Sequence, residues 1–490
     1  MSMEQLRACF TGLDTEYPTA QGVRRRRVYL DSCATGLSLR PALSAVRSLL
    51  PHYSNTHSNA HFSARLSTDV FDWAADRVLQ FLGAPKEEYV ASFIGSGATA
   101  AINKFSERMA RAAPDQDEVL VSMLEHHSND LPHRRFARVT HLPLTGRDPD
   151  SGAVSLTHLR EVLENKQGRV RYIAISGASN VTGIRNPIEE VAELANRNNV
   201  PLLVDGAQLT GHNPVQLHVP GQYRIDAYAF SGHKLYAPMS PGVLVVRKAL
   251  MDRAPPAEVG GGAVASVSVH DYELAQSPSE REHAGTPNVV GAVLLAAALD
   301  FLDRVGMARI EAHGQRLTRH AWQSLSRVPG VQLYGSADLS NVRRVPVIAF
   351  NIAGMPHALV AAVLNDYFGI AVRNACFCAQ PYVRTLLRRE LWDLESHELD
   401  ELAVQALVET RRGMVRASFG CYTTEDEVDQ LADAVRAISA RLDWYTDQYL
   451  VDRSGGYRHK SFAPESRGLF DMSAVLDGLW RAALRDEVST

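Results

Sequence analysis

Between residues 89 and 247 short apolar runs alternate with stretches whose apolar positions recur every three to four residues. The runs are YVASFI, EVLVSM, RYIAIS, PLLVD, DAYAFS and GVLVV. Runs of this length bounded by turn residues predict buried strands, and the helical period between them predicts helices, as over 156–164 and 188–198. That alternation is the signature of a mostly parallel α/β sheet. Upstream, Leu43, Val46, Leu49 and Leu50 predict an amphipathic helix from Pro41, and Val70 to Leu82 predicts another. The polar stretch HYSNTHSNAHFS between them reads as a loop. Residues 1–30 show one short strand, VYLD; residues 258–288 read as loop, and Val289 to Val305 as a long buried helix. Beyond it VQLYG, VPVIAFNIA, IAVRN and MVRASF, set between helical stretches, predict a smaller α+β domain. The expected division is 1–40 as an N-terminal segment packing with the small domain, 41–299 as the large domain, 300–444 as the small one and 445–490 as a C-terminal extension. The extension closes on a helix, Met472 to Glu487, with Val475, Leu476, Leu479, Trp480 and Leu484 on one face.

The chemistry collects where the predicted strands stop. In open α/β sheets ligands bind beyond the carboxyl ends of the strands. Here EHHSND follows VLVSM, SNVTG follows AIS, DGAQ follows LLV and SGHK follows AYAF. Lys234, directly after an apolar run, is costly to bury as an ammonium unless its pKa falls or it forms a covalent bond, which makes it a candidate Schiff-base lysine. Asp205 ends another run. A Schiff-base lysine with a carboxylate for a pyridinium nitrogen is the minimal equipment for using pyridoxal phosphate. The Gly/Ser turn of FIGSGATAAIN, opening a helix, offers free amides to a phosphate, and the G-x-G-x-x-G pattern expected for NAD is absent.

Composition narrows the partners. The chain has 490 residues, 45% hydrophobic and 22% charged, with a formal charge of -4, so nothing points to nucleic acid or an anionic membrane. The basic run Arg24 to Arg27 reads as a solvated loop. No apolar stretch reaches the length of a bilayer span, and a cytoplasmic protein is expected. Five scattered cysteines argue against a disulfide framework and for thiols. His57 and His61 have the spacing of a helical metal pair but lack an acidic third ligand, so no metal is expected.

The ordered motifs YLDSCAT, NTHSNAH, GATAAIN, EHHSN, SNVTG, DGAQ, SGHK, AGTPN, AVRNACFCAQP and VRASFGCYTTEDEVD resemble the class V aminotransferase superfamily of fold-type I pyridoxal-phosphate enzymes. Within it the likeness is to the cysteine desulfurase and selenocysteine lyase group of the SufS-like kind, over about residues 28–435. The resemblance implies a mostly parallel seven-stranded sheet between helices, a smaller α+β domain and a homodimer with active sites at the interface. It implies that Lys234 holds pyridoxal phosphate, that His126 stacks on its ring, that Asp205 pairs with the ring nitrogen, and that Gln208 and Asn180 bond the phenolic oxygen. Ala98, Thr99, Ser231 and His233 would hold the phosphate, with Thr286 reaching in from the neighbouring subunit. Arg416 and Arg373 would clamp the substrate carboxylate, a task suited to the guanidinium fork, with His57 and Ala34 also at the substrate. Cys378 would attack the substrate sulfur as a thiolate, leaving alanine and a persulfide, and a sulfur-acceptor protein would follow.

The chain departs from the group's pattern where Ala375, Cys376 and Phe377 replace a Gly-His-His run, and where Ser58 stands in place of an arginine. Two enzymatic readings follow: a cysteine desulfurase, with selenocysteine as a further substrate, and another class V enzyme, such as a C-S lyase, epimerase or aminotransferase, in which Cys378 is incidental. A turnover-free binding scaffold would have no need of Lys234, Asp205, His126 and Arg416 together.

Overall fold

The structure, a computed structural model, describes residues 2–56, 58, 60–145, 152–166, 168–387, 413–452 and 456–486. Helices α1 (Arg40–Leu49) and α2 (Phe62–Phe81) lead into strand β1 (Tyr89–Ile94) and helix α3 (Gly97–Ala112). Strands β2 (Glu118–Ser122), β3 (Arg138–Leu142), β4 (Val170–Ser176), β5 (Leu202–Asp205), β6 (Ala227–Ser231) and β7 (Gly242–Arg247) follow. All seven make one sheet in the order β1-β7-β6-β5-β4-β2-β3. Only β7 runs against its neighbours. Every residue of β1, β2, β4, β5 and β6 is buried. Strands covered on both faces read as unbroken apolar runs, which is why these were legible in the sequence. Strand β3 was not, because this edge strand, RVTHL, is partly exposed and mostly polar.

Helix α4 (Val289–Val305) is apolar nearly all round and packs against α1 and α2. After it come α5 (Met307–Leu325), α6 (His357–Phe368) and α7 (Glu425–Ser439), which back a second sheet of β8 (Val331–Tyr334), β9 (Val347–Ile352), β10 (Arg373–Ala375) and β11 (Met414–Ser418). Its order is β8-β9-β11-β10, antiparallel throughout. A separate apolar core built on Ile348, Phe350, Leu359, Val415 and Leu431 fills this part of the molecule.

The N-terminal segment bridges both bodies. Val28–Tyr29 lies parallel to Ile370–Ala371 and Arg7 pairs with Glu427 at 2.8 Å, whereas Leu6, Phe10 and Leu13 enter the larger core. Four expectations are corrected. Arg24–Arg26 is an exposed strand paired with Glu16–Pro18, its arginines alternating as side chains of a solvated hairpin. Helix α2 begins at Phe62, before the apolar period starts, because the His61 ring caps it by accepting the Ala64 N–H. Residues 258–288 hold a hairpin, Val264–Val267 with Tyr272–Leu274, and a short helix, Pro278–Arg281. Residues 1–30 also carry a helix, Met3–Arg7, closed by a capping box. In the extension a hairpin is tied to α6 by Tyr367 and His459, 2.8 Å apart, and helix α8 (Met472–Asp486) follows with Val475, Leu476, Leu479 and Trp480 41% to 68% exposed. Glu487 lies outside the described residues.

His133 and His357 are buried in the two bodies, and burial holds each pKa down to about 4. The unfolded chain would titrate them near 6.5, so below that pH it binds protons that the folded chain excludes, and stability falls as pH drops from 6.5 towards 4. His126 and His233, also held to about 4, add to this, while the buried Glu125, pushed up to about 7, acts in the opposite direction. Urea midpoints measured at pH 7 and pH 5 are expected to show a larger acid loss in the wild type than in His133→Gln. Equal losses would remove His133 as a source.

Candidate active site

The ends of β4, β5 and β6, the turn after β2, the N-terminus of α3 and the β10–β11 edge enclose a cavity of about 310 Å³. At one end lie Ser96, Ala98, Thr99, Ser128, Ser231 and His233. The N-cap residue of α3, Ser96, makes no side-chain cap bond, and the Ala98 N–H donates to Ser231 Oγ at 2.8 Å. Gly97 has φ +66°, and a Cβ there would sit 2.6 Å from Ser231 Oγ; a Cβ on Gly242 would sit 2.3 Å from the Gly97 carbonyl. The turn therefore needs glycine at both positions, and the helix end it shapes is a ready anion cradle.

Lys234 leaves β6 on a tight turn (Gly232–Leu235) that ends with Tyr236 in the left-handed region. Burial pushes its amine down, with the Cys33 thiol and the Asp205 carboxylate favouring the charge and Arg416 opposing it. Asp205 ends β5, 5% exposed; burial pushes its carboxyl up, against the Ala207 N–H, which donates to Oδ1 at 2.9 Å, and the charge of Lys234. His126 follows β2. Burial, Lys234, His127 and Arg416 hold its pKa down to about 4, so the ring is neutral, and Nδ1 accepts the Ser128 N–H at 3.1 Å. Gln208 exchanges two bonds with Cys33, accepting from its thiol at 2.8 Å and donating to its carbonyl at 3.0 Å.

At the other end two arginines face each other. Arg373 on β10 is the register partner of Arg416 on β11, and both line the cavity. Like charges directly opposite on a sheet repel, and an anion between them removes the cost. The Arg416 guanidinium is held by Asp31 at 3.1 Å and by the Asn180 carbonyl at 3.0 Å, and it lies over the Phe377 ring, 4.8 Å from the centroid. Its buried Nε has no partner, and neither has Asn180 Oδ1. These are the marks of a site built for a polar occupant.

Cys378 is an exposed free thiol on the rim. Its loop is strained: Ala375, Phe377 and Cys378 all have positive φ, a conformation that costs a non-glycine residue about 1–2 kcal/mol. The Phe377 carbonyl accepts from Asn180 Nδ2 at 2.6 Å.

The cavity thus gathers Ala34, Ala98, Thr99, His126, Asn180, Asp205, Gln208, Ser231, His233, Lys234, Arg373, Cys378 and Arg416. Thr286 is exposed and does not line it, and His57 lies outside the described residues. Among the described residues no cluster of His, Cys, Asp or Glu is placed to hold a metal ion. Sequence reasoning missed Cys33, Asp31 and Phe377. The first two lie in YLDSCAT, a stretch whose chemistry appears only when the chain folds back onto Gln208 and Arg416.

A sequence profile described as aminotransferase class-V matches residues 28–431. A probable cysteine desulfurase of Halalkalibacterium halodurans is 32% identical, the alignment covering 88% of this chain and 97% of that protein. The cysteine desulfurase CsdA of Escherichia coli superposes with a TM-score of 0.70 at 31% identity, over 90% of this chain and 99% of the other. The apo cysteine desulfurase of Thermococcus onnurineus NA1 gives 0.72 at 28%, over 84% and 95%. With a cavity of this composition on a fold shared so fully, and a family profile spanning most of its length, the chain belongs to the class-V aminotransferases.

Proposed function

We propose that the protein is a pyridoxal-phosphate-dependent cysteine desulfurase, which converts L-cysteine to L-alanine and keeps the sulfur as a persulfide on Cys378. One observation carries the reading: Lys234, Asp205, Arg416 and the Cys378 thiol, from four separate parts of the chain, line a single cavity. The family's cofactor fits the residues present. A helix end without a bond from its own N-cap side chain, with Ser231 and His233, suits a phosphate, Asp205 suits a ring nitrogen, neutral His126 suits the face of an aromatic ring, Gln208 and Asn180 suit a phenolic oxygen, and Lys234 suits a covalent anchor. When bound, pyridoxal phosphate supplies an electron sink for negative charge at the substrate Cα.

The chain's own residues do the rest. Arg416 has donors left after Asp31 and Asn180, and its free Nε edge, with Arg373 opposite, binds and orients the substrate carboxylate. Lys234, whose pKa burial has lowered, is suited to take the Cα proton on Nζ. Cys378 reaches the substrate sulfur from the rim as a thiolate, and an S–S bond forms on Sγ as the substrate Cβ–S bond breaks. The electron pair of that bond goes to Cβ, which takes up the proton of the substrate thiol, the proton on Lys234 Nζ returns to Cα, and alanine is released. Its exposure leaves the persulfide open to an acceptor protein, and all five cysteines are free, in keeping with a reducing, cytoplasmic setting. No helix among the described residues is long and apolar enough to cross a membrane. The working unit is a homodimer in which exposed Thr286 completes the phosphate site of a second copy; Met239, Val267, Val269 and Tyr272, 49% to 95% exposed, supply an apolar face for it.

Purified yellow protein given L-cysteine and a reductant is expected to form alanine and sulfide in equal amounts. Lys234→Ala should lose the colour and the turnover; Cys378→Ala should keep the colour and lose the sulfide. Full turnover in Cys378→Ala, or pyruvate and ammonia in place of alanine, would shift the assignment to another class V chemistry. Arg416→Lys keeps the charge but not the fork, and KM for cysteine should rise roughly ten- to hundredfold, the equivalent of about 1.5–3 kcal/mol for a charged hydrogen bond. An unchanged KM would place the carboxylate elsewhere.

A further inference from the structure

Three of the five non-glycine residues with positive φ among the described residues fall in one short stretch, Ala375, Phe377 and Cys378. A backbone held in sparsely populated conformations relaxes unless its surroundings over-determine it. The bonds that hold this stretch to the larger body converge on two residues. Asn180 takes the Phe377 carbonyl. His127 bonds twice: its backbone N–H donates to the Cys378 carbonyl at 2.7 Å, and its Nε2 accepts the Gln380 N–H at 3.2 Å. The second bond requires a lone pair on Nε2, and therefore a neutral ring with its proton on Nδ1.

His127 is itself firmly seated. It opens a short turn (His127–Asn129) after β2, and the preceding residue but one, Glu125, is 4% exposed and accepts four hydrogen bonds. The donors are Ser122 Oγ at 2.5 Å, Ser176 N at 2.9 Å, Ser176 Oγ at 2.6 Å and Asn129 Nδ2 at 2.6 Å. Those bonds tie the turn to the ends of β2 and β4. Rigidity thus passes from the central sheet through Glu125 to the turn that His127 opens, and from His127 to the Cys378 carbonyl and the Gln380 N–H that follows it, while Asn180 holds the Phe377 carbonyl before it.

We propose that His127 is a positioning residue for sulfur transfer, clamping the strained Cys378 loop to the sheet so that the thiol stays at the cavity rim. The inference rests on Cys378 being the sulfur acceptor. His127 touches neither substrate nor sulfur; it acts by keeping the reacting thiol within reach, where small displacements are costly to rate.

The test compares holoenzyme carrying His127→Ala with His127→Gln, whose side-chain oxygen restores an acceptor for the Gln380 N–H. Hydrogen exchange read on the peptide 374–387 should speed up about three- to tenfold in His127→Ala and return close to the wild-type rate in His127→Gln. The rate constant kcat for alanine formation should fall by a similar factor in His127→Ala, with KM for cysteine within about twofold of wild type, and recover in His127→Gln. Unchanged exchange in His127→Ala, or equal impairment of the two variants, overturns the clamp. Full alanine formation by Cys378→Ala would overturn the sulfur-acceptor reading instead, and would leave the exchange result standing.

Discussion

The Arg416 guanidinium, 3% exposed, is the knot of this molecule. A buried charge is tolerated only when paired and hydrogen-bonded, and its partners come from three distant parts of the chain: Asp31 of the N-terminal segment, the Asn180 carbonyl after β4, and the Phe377 ring beside Cys378. Strand β11 carries Arg416 between β9 and β10, so the small sheet is held to the large one through the same side chain. Satisfying one charge therefore assembles the wall of the cavity. The unpaired Nε is what that assembly leaves over for a ligand.

The electrostatics follow from depth. Lys234, Arg373 and Arg416 line the cavity against the single carboxylate of Asp205, so the pocket is cationic and suited to an anion at each end. Burial then decides the protonation of the neutral groups. His126 and His233, held to about 4, stay uncharged at physiological pH, and Lys234 is drawn towards a free amine. Charge is thus concentrated on the two arginines, and the lysine beside them is left less charged than it would be in water.

Much of this was legible in the sequence. Five of the seven central strands are buried on both faces and read as apolar runs, and their ends and the residues just beyond carry Asp205, Lys234, Asn180 and His126. Helix α4 was legible from composition alone, because a helix buried all round is apolar all round. What escaped were elements whose stability comes from elsewhere. The edge strand β3 is mostly polar, the first turns of α2 are set by a histidine cap, and the hairpin within 258–288 is short and exposed.

Local pattern alone determined which motif follows which strand along the chain, because periodicity and strand-end position are properties of neighbouring residues. It placed the lysine, the aspartate and the glycine turn, and the family motifs placed the cysteine. Which residues meet was decided only by tertiary structure. Arg373 opposite Arg416, Cys33 against Gln208, Asp31 on Arg416 and His127 beneath Cys378 join residues far apart in sequence, and no local signal records that they are neighbours. The physical reason is that buried charges and strained backbone demand partners, and the fold, not the local pattern, chooses which partners are near enough to supply them.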